Sequence, residues 1–281
     1  MKHYPQGGEG NPTQLVEALH TAQRAAEKAG AIIRARWNTT FQISHKGDVD
    51  LVSEVDLAAE KAIVTCLMER HPQDGIIAEE TGAKGTKEDR IWHIDPLDGT
   101  TNFSHGIPHF CVSIALVVRG ETQVGIIYEP LRDWRFTALK GAGAYWNDSP
   151  MKVSHSARLA DSLLASGFPY DRRTNPDNNT IRISHLLKKS RGIRRMGSAA
   201  LDLAYLANGW LDGYWEIRLN SWDVAAGWLL VQEAGGQVSM IDPRLPTANP
   251  SEFVASNGRI HQELIHELIA AQRSHHGELG P

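Results

Sequence analysis

The hydrophobic positions of the chain follow a helical period in some segments and a strand period in others. Apolar residues recur at helical spacing from Asn11 to residue 37, where Pro12 suits a first helical turn, and this pattern predicts a long first helix. The segment SEVDLAAEKAIVTCLMERHP has the same period and begins with a possible capping box from Ser53 to Asp56. Two helices are therefore predicted before Pro72.

Short apolar runs that are typical of strands follow these helices. Two of them, GIIAEE and IWHID, end in carboxylates, as strands do when their C-terminal ends bring side chains into a crevice. β-Branched and aromatic residues then alternate in CVSIALVVRGETQVGIIYEP and DWRFTALKGAGAYW, with turn signals at Gly120, Pro130 and Gly141. An antiparallel meander is predicted here, and it would form the wide sheet of the first half.

After Pro150, strand-like and helix-like segments alternate, so the second half is predicted to be α/β. Strands are expected at SLLASGF, GIRRM, LDGYWE and GQVSM, and helices near residues 198–208, 222–234 and 259–273. Gly209 and Gly235 stand where two of these helices should end, since glycine is the preferred residue just past a helix terminus.

The chain has no long linker, internal repeat or low-complexity segment. We therefore expect a single unit of residues 1–281, with approximate halves at 11–149 and 150–275. Only the first dozen residues and the final HHGELGP have the composition of fraying ends.

Composition narrows the classes of function. The 281 residues carry a net charge of -4, from 29 basic and 33 acidic side chains, and contain no basic tract. Nucleic-acid and membrane partners are therefore not expected. With only Cys66 and Cys111 there is no disulfide framework, which favours a reducing compartment, and a cytoplasmic location is predicted. No stretch approaches the roughly 18 apolar residues that cross a bilayer.

The most informative string is WHIDPLDGTTNF, residues 92–103. A proline-containing turn brings Asp95 and Asp98 close together, and Gly99, Thr100 and Thr101 can present backbone amides to an anion. A phosphate does not easily approach several carboxylates unless divalent cations lie between them. Magnesium prefers oxygen ligands and commonly bridges carboxylates to phosphate, so the string predicts a magnesium and phosphate site.

Each acid also has an ordinary structural interpretation. DPLDG is a favourable turn sequence, and adjacent glutamates such as Glu79 and Glu80 are common on surfaces. Asp223 begins a predicted helix, where a carboxylate interacts with the helix dipole, and Asp56 has a role in its capping box. Asp50 could be only a turn acid. Taken singly, these interpretations are favoured over a catalytic one.

In five segments the chain resembles the inositol monophosphatase family. The segments occur in family order from about Lys46 to about Gly236, and they are KGDVDLVSEVD, GIIAEETG, WHIDPLDGTTNF, RRMGSAALDLAYLANGWLDGYWE and SWDVAAGWLLVQEAGG. The resemblance implies a mixed α/β (α+β) fold, a layered αβαβα sandwich shared with fructose bisphosphatases. Family members are commonly homodimers, so a homodimer is expected.

The resemblance also implies a set of metal ligands. Glu79, Asp95 and the main-chain carbonyl of Leu97 would hold one Mg²⁺, while Asp95, Asp98 and Asp223 would hold a second. A third and weaker Mg²⁺ is expected near Glu79. The expected cofactor is therefore two or three magnesium ions for each site.

Roles in catalysis and substrate binding follow from the same resemblance. Thr100, beside Glu79, would align and deprotonate the attacking water, with Asp56 supporting Thr100 from behind. The substrate-binding residues implied are Asp98, Gly99, Thr100, Gly197, Ser198, Ala199, Glu216 and Asp223. From the residues alone, Ser198 serves at least equally well as a helix N-cap, and Glu216 as a solvated strand end.

The implied activity is magnesium-dependent, lithium-sensitive hydrolysis of a small polyol phosphate, with myo-inositol monophosphate as the first candidate. Arg218 and Asn220 depart from the pattern of the animal enzymes, which leaves the alcohol open. Histidinol-phosphate phosphatase, 3′-phosphoadenosine-5′-phosphate phosphatase and fructose-1,6-bisphosphatase remain alternatives within the enzyme class. A regulatory binding protein that retains the fold is the alternative from another class.

Overall fold

The computed structural model describes residues 12–39, 43–45, 51–85, 89–241 and 252–278, and the structural statements below concern these residues. The expected cap at Asn11, the turn acid Asp50 and the KGDVD part of the first motif lie outside them.

Two long helices form the outer layer of the first half. Helix α1 (Pro12–Arg36) and helix α2 (Glu54–Arg70) agree with the sequence prediction. The predicted capping box is also confirmed, because the Ser53 hydroxyl accepts the Val55 and Asp56 amides while the Asp56 carboxylate accepts the Ser53 amide. Strands β1 (Ile43–His45) and β2 (Leu51–Ser53) pair antiparallel, and the periodicity did not indicate this hairpin.

The wide sheet has eight strands in the order β10-β9-β8-β7-β6-β5-β3-β4. Strands β3 and β5 are parallel, and the remaining pairs are antiparallel, so the predicted meander is confirmed. The strands are β3 (Gly75–Ala78), β4 (Gly82–Lys84), β5 (Arg90–Asp98), β6 (Cys111–Val118), β7 (Glu121–Glu129), β8 (Trp134–Leu139), β9 (Gly143–Trp146) and β10 (Ser149–Pro150). One turn of helix, α3 (Thr100–Ser104), follows β5 directly.

The second half contains a five-stranded sheet in the order β12-β11-β13-β15-β14. Its strands are β11 (Leu163–Ser166), β12 (Gly192–Arg194), β13 (Gly213–Ile217), β14 (Gln237–Met240) and β15 (Glu252–Ser256). Its helices are α4 (Thr180–Leu187), α5 (Ala199–Ala207), α6 (Ser221–Glu233) and α7 (His261–Glu278), and a 3₁₀ turn spans Leu159–Asp161. Strand β15 and helix α4 were not predicted, and α7 continues past its expected end at residue 273.

Three hydrophobic clusters hold five layers together. The first cluster joins α1 and α2 to one face of the wide sheet, with Ile33, Leu67 and Trp92 fully buried. The second places α5 and α6 between the two sheets, and the third joins α4 and α7 to the outer face of the smaller sheet. The predicted αβαβα sandwich is confirmed. The assignment of residues 1–281 to one unit stays a prediction.

None of the described helices combines the length and the apolarity that a bilayer-spanning segment requires.

Candidate active site

An irregularity in β5 determines which face of the sheet its acidic residues occupy. Asp95 pairs with Ser113 on β6, and Asp98 pairs with Cys111, so β5 has one more residue than its partner between these two pairs. In a regular strand, residues three apart point to opposite faces. The extra residue of the bulge restores the alternation, and Asp95 and Asp98 therefore face the same side.

Neighbouring elements bring two further acids to this side of β5. Glu79 directly follows β3, and its amide donates to the Ile94 carbonyl at 3.1 Å, which sets Glu79 beside Asp95. Asp223 lies in the first turn of α6, where it accepts the Asn220 amide at 2.6 Å. These four acids, with Leu97, Gly99 and Thr100, line a cavity of about 180 Å³, which we call the acidic cavity. The backbone amide of the adjacent Glu80 donates to the Glu60 carboxylate.

Burial and neighbouring charges both raise the pKa of carboxyls in the acidic cavity. Burial raises the pKa of Asp95 well above its ordinary value, and the charges of Glu79, Asp98 and Asp223 raise this pKa further. Burial likewise raises the pKa of Asp223 and of Asp98. A cluster of this kind is expected where cations are held, because a bound cation removes the repulsion.

The donor set fits magnesium. Every side chain that would ligate it offers carboxylate oxygen, and Leu97, whose carbonyl is the further expected ligand, lines the same cavity. In the described part of the chain, no three His, Cys, Asp or Glu side chains enclose a metal site by themselves. Magnesium is compatible with such an open arrangement, since it usually keeps several waters and takes one or two carboxylates together with substrate phosphate.

Helix α5 fixes the orientation of Asp98. The Ser198 hydroxyl donates to Asp98 Oδ2 at 2.6 Å, and the Ala200 amide donates to the same oxygen at 2.8 Å. These two hydrogen bonds direct Oδ2 toward α5. The Ser198 oxygen also accepts the Leu201 amide, so Ser198 is the N-cap of α5 as the sequence suggested. Ser198 thus donates its hydroxyl hydrogen to Asp98.

Thr100 connects the bulge to Asp56. Its hydroxyl oxygen lies 2.9 Å from Asp56 Oδ1 and 2.9 Å from the Leu97 carbonyl. A hydroxyl has one hydrogen, so Thr100 donates to only one of them at a time and keeps lone pairs for a third partner. Asp56 Oδ2 is occupied by the amide and hydroxyl of Ser53, so the capping box and the candidate catalytic contact share one carboxylate.

Gly99 allows the close turn between β5 and α3. Its φ is +97°, in the left-handed region that favours glycine, and a Cβ there would lie 3.0 Å from the His109 carbonyl. The backbone of Gly99 and Thr100 borders both the acidic cavity and a second, larger cavity.

The larger cavity, of about 500 Å³, we call the alcohol cavity. It contains the predicted substrate residues Gly197, Ser198, Ala199 and Glu216, and it shares Asp98, Gly99, Thr100 and Asp223 with the acidic cavity. The structure thus brings together every site residue expected from the sequence except Asp56, which reaches the site through Thr100.

Glu216 is held close to the backbone of the alcohol cavity. A Cβ at Gly167 would lie 2.1 Å from its Oε1, so a side chain there would displace the Glu216 carboxylate, and the Tyr214 hydroxyl donates to its Oε2. Burial raises the pKa of Glu216 to about 7. Glu216 is also partly exposed near the end of β13, so its role in substrate binding stays a prediction.

Sequence reasoning missed several residues of the alcohol cavity, among them Tyr170, Arg172, Arg195 and Asp202. Asp202 was available within the motif RRMGSAALDL, but an acid in the first turns of a helix has an ordinary structural explanation. Arg218, noted as a departure, also lines the cavity; its guanidinium donates to the Asp177 carbonyl at 2.7 Å.

The five-layer fold, with an acidic, oxygen-lined cavity beside a larger polar cavity, is the arrangement expected of a phosphatase, a phosphoric monoester hydrolase. A model of the Inositol monophosphatase family matches residues 14–278. The chain belongs to the inositol monophosphatase family.

Individual relatives carry two different names. The chain is 44% identical over 262 residues to the protein named inositol-1-monophosphatase of Synechocystis sp., covering 92% of this chain and 91% of the relative. It is 42% identical over 261 residues to the protein named Nus factor SuhB of Escherichia coli strain K12, covering 89% and 98%. The solved inositol monophosphatase of Anabaena sp. superposes with a TM-score of 0.83 at 42% identity, covering 92% and 97%.

Proposed function

We propose that the protein is a magnesium-dependent phosphomonoesterase that hydrolyses the phosphate ester of a small polyol, with myo-inositol monophosphate as the preferred substrate. The observation that supports this most is the shared border of the two cavities, which includes Asp98, Gly99, Thr100 and Asp223. A phosphate placed at that border has carboxylates on one side and a hydroxyl-binding wall on the other. The name of the Synechocystis relative supports the choice of alcohol.

Two or three Mg²⁺ ions, held by Glu79, Asp95, the Leu97 carbonyl, Asp98 and Asp223, would neutralise the phosphate charge and lower the pKa of water. The protein holds these ligands in place before substrate arrives. Asp98 is oriented by α5, and Asp95 Oδ1 by the Leu97 amide at 3.0 Å. Such preorganised charge avoids reorganisation during the reaction.

Thr100 and Asp56 form a relay for the attacking water. When the Thr100 hydroxyl donates to Asp56, its lone pairs face away from that carboxylate and can accept a hydrogen bond from water. Glu79, on the same cavity, is the acceptor for the proton that the water loses. Water would therefore be oriented by two side chains at the moment it attacks phosphorus, and no covalent intermediate with the protein is needed.

The alcohol is positioned by the wall of the alcohol cavity. Glu216 accepts hydrogen bonds from substrate hydroxyls, while its other contacts, with Tyr214 and Gly167, keep it in place. Because the Ser198 hydroxyl donates to Asp98, the segment from Gly197 to Ala199 meets the substrate through its backbone. Binding of the alcohol at a distance from phosphorus aligns the scissile bond for in-line attack.

A panel of phosphate esters tests the proposal. Purified protein with saturating Mg²⁺ is assayed on myo-inositol 1-phosphate, histidinol phosphate, 3′-phosphoadenosine 5′-phosphate and fructose 1,6-bisphosphate. The highest kcat/KM is expected for myo-inositol 1-phosphate, with inhibition by Li⁺. A preference for histidinol phosphate would remove the inositol assignment while leaving the phosphatase assignment intact.

Location and assembly are part of the same proposal. A cytoplasmic enzyme that works as a homodimer is expected, and sedimentation at twice the mass of the chain would support the dimer.

The relative named Nus factor SuhB supports a second candidate, a binding role that does not depend on catalysis. Wild type and Asp95→Asn would be expressed in an Escherichia coli strain that lacks its own SuhB. Equal restoration of growth by both proteins would favour the binding role. Restoration by wild type alone, or by neither protein, would argue against it.

A further inference from the structure

One carboxyl group in the wall of the alcohol cavity has no role in the mechanism above. Asp202 lies in α5, one turn after its N-cap, and is 2% exposed. Within the described residues, its Oδ1 is buried without a hydrogen-bond partner, although Asp202 lines the cavity. Buried polar atoms are nearly always hydrogen-bonded, so an unpaired carboxyl oxygen beside a substrate cavity points to a missing partner.

The surroundings of Asp202 indicate what that partner is. Glu216 and Arg195 line the same cavity as Asp202. The charges of Glu216 and Asp98 raise the pKa of Asp202, and the charge of Arg195 lowers it. The two carboxyls, Asp202 on α5 and Glu216 on β13, therefore approach the cavity from different elements. The positive charge of Arg195 beside them disfavours an ammonium group and leaves neutral hydroxyls as the better partners.

The electrostatics of Asp202 agree with hydroxyl binding. Burial raises the pKa of Asp202 well above its ordinary value, and Glu216 raises it further, while Arg195 lowers it. A charged carboxyl accepts hydrogen bonds from hydroxyls, and a protonated one both donates and accepts, so either form can bind a hydroxyl.

We propose that Asp202 is a second hydroxyl-binding residue which, together with Glu216, selects phosphate esters whose alcohol carries at least two further hydroxyl groups. The proposal rests on the proposed phosphatase function and narrows its substrate class. A site built to hydrogen-bond a hydroxyl discriminates strongly against an analogue that lacks it, because the buried group is then left unpaired. Asp202 would thus determine specificity and leave the chemistry at phosphorus unchanged.

The alternative is that Asp202 stabilises α5 alone. A carboxylate near a helix N-terminus interacts favourably with the helix dipole, and this interaction does not depend on the substrate. The two interpretations differ in one measurable quantity, the ratio of kcat/KM between a polyol ester and an ester without further hydroxyls.

The test compares Asp202→Leu, which is close in shape but cannot hydrogen-bond, with Asp202→Asn, which can. Each variant is assayed with saturating Mg²⁺ on myo-inositol 1-phosphate and on 4-nitrophenyl phosphate. We expect Asp202→Leu to raise KM for the inositol ester about tenfold or more, as the loss of a hydrogen bond at a buried site does. Its kcat/KM for the nitrophenyl ester should stay within about threefold of wild type, and Asp202→Asn should recover most of the inositol KM.

Controls separate folding from specificity. Asp161→Leu removes an exposed aspartate outside the cavity and should leave both esters unaffected. Thermal melting is recorded for every variant, and Asp202→Ala takes the place of Asp202→Leu if the latter does not melt cooperatively.

Equal loss on both esters, or no loss on either, in a folded Asp202→Leu protein would overturn the proposal. If wild type hydrolyses neither ester, the proposed function has failed, and calorimetry with myo-inositol then tests Asp202 by itself. Binding by wild type and Asp202→Asn but not by Asp202→Leu would support the inference, and equal binding by all three would reject it.

Discussion

The two cavities share a border but are held in place by different parts of the chain. In the acidic cavity, Asp95 and Asp98 come from one strand end, and Glu79 follows the neighbouring parallel strand. In the alcohol cavity, Gly167, Arg195 and Glu216 come from three separate segments of the second half. Three of the four acids are thus set by two neighbouring strand ends, with Asp223 added from α6, whereas the wall of the alcohol cavity depends on how several distant segments pack.

Under the proposed function, this difference would separate chemistry from substrate choice. The acidic cavity is constrained by the bulge in β5 and by hydrogen bonds to Asp95 and Asp98. The wall of the alcohol cavity includes exposed arginines such as Arg195 and Arg218, which lie outside the core. We therefore expect substitutions in that wall to change the preferred alcohol more readily than the reaction at phosphorus.

Removal of the metal should have the largest effect and should not distinguish between substrates. Chelation of Mg²⁺ is expected to abolish hydrolysis of myo-inositol 1-phosphate and 4-nitrophenyl phosphate alike, and added Mg²⁺ should restore both. Mg²⁺ should also raise the melting temperature, since a ligand present at 100 times its Kd stabilises a native protein by about 2.7 kcal/mol. Retained activity on either ester after complete chelation would contradict the role of the acidic cavity.

Replacement of one acid is expected to cost nearly as much. Asp95→Asn should lower kcat on both esters by more than the roughly 10- to 100-fold that is typical when a partner of a metal ligand is lost. When both proteins are free of metal, Asp95→Asn should be at least as stable as wild type, because burial and three neighbouring carboxylates disfavour the Asp95 charge. Steady-state kinetics and thermal melting check both parts.

The control for this variant is Asp161→Asn, which changes an exposed aspartate that pairs with Arg158. A loss of activity in that protein, or an unfolded Asp95→Asn protein, would show that the effect is not specific to the acidic cavity.

Ser198 lines the alcohol cavity and donates to Asp98 on the shared border, so its loss should affect both cavities to an intermediate degree. Ser198→Ala removes a hydrogen bond to Asp98 Oδ2 and the cap of α5. We expect a fall in activity of about 10- to 100-fold, accompanied by a loss of stability of about 1 kcal/mol. Ser198→Thr, which keeps the hydroxyl, is the matched variant. If Ser198→Ala loses stability but keeps full activity, the Asp98 contact is not needed for catalysis.

Arg218 should give the smallest effect and the clearest separation of the two cavities. It is partly exposed and its contacts are with Asp171 and Asp177 at the rim. Arg218→Ala is expected to change KM for myo-inositol 1-phosphate by a few-fold, with kcat and stability nearly unchanged, since exposed ion pairs contribute little. A large fall in kcat on 4-nitrophenyl phosphate would show that the alcohol cavity also controls the chemistry.

Much of the fold could be predicted from local periodicity. Helices α1 and α2 and the strands β5 to β9 have strong patterns and clear end signals, and all were predicted. Helix α4 was missed because its eight residues lie in a polar stretch, where only tertiary contacts with α7 make a short helix stable. The five residues of β15 carry too few alternations to distinguish a strand from a loop.

The candidate site also has some residues that the sequence indicated and others that only the structure reveals. Motifs and family resemblance indicated the residues of the acidic cavity, but periodicity alone would have placed Asp95 and Asp98 on opposite faces of β5. The bulge that corrects this is visible only in the pairing with β6. Asp202 could not be recognised from the sequence, because the absence of a partner for its Oδ1 is a property of the packed structure.

The extra residue in β5 limits how this catalytic centre can be moved or redesigned. Grafting the same four acids onto a regular sheet would direct one of the two aspartates into the hydrophobic layer beneath. The portable unit is therefore the whole DPLDG segment with its irregular pairing, because regular pairing of the same spacing, with both Pro96 and Leu97 kept, would turn Asp98 away from the other acids.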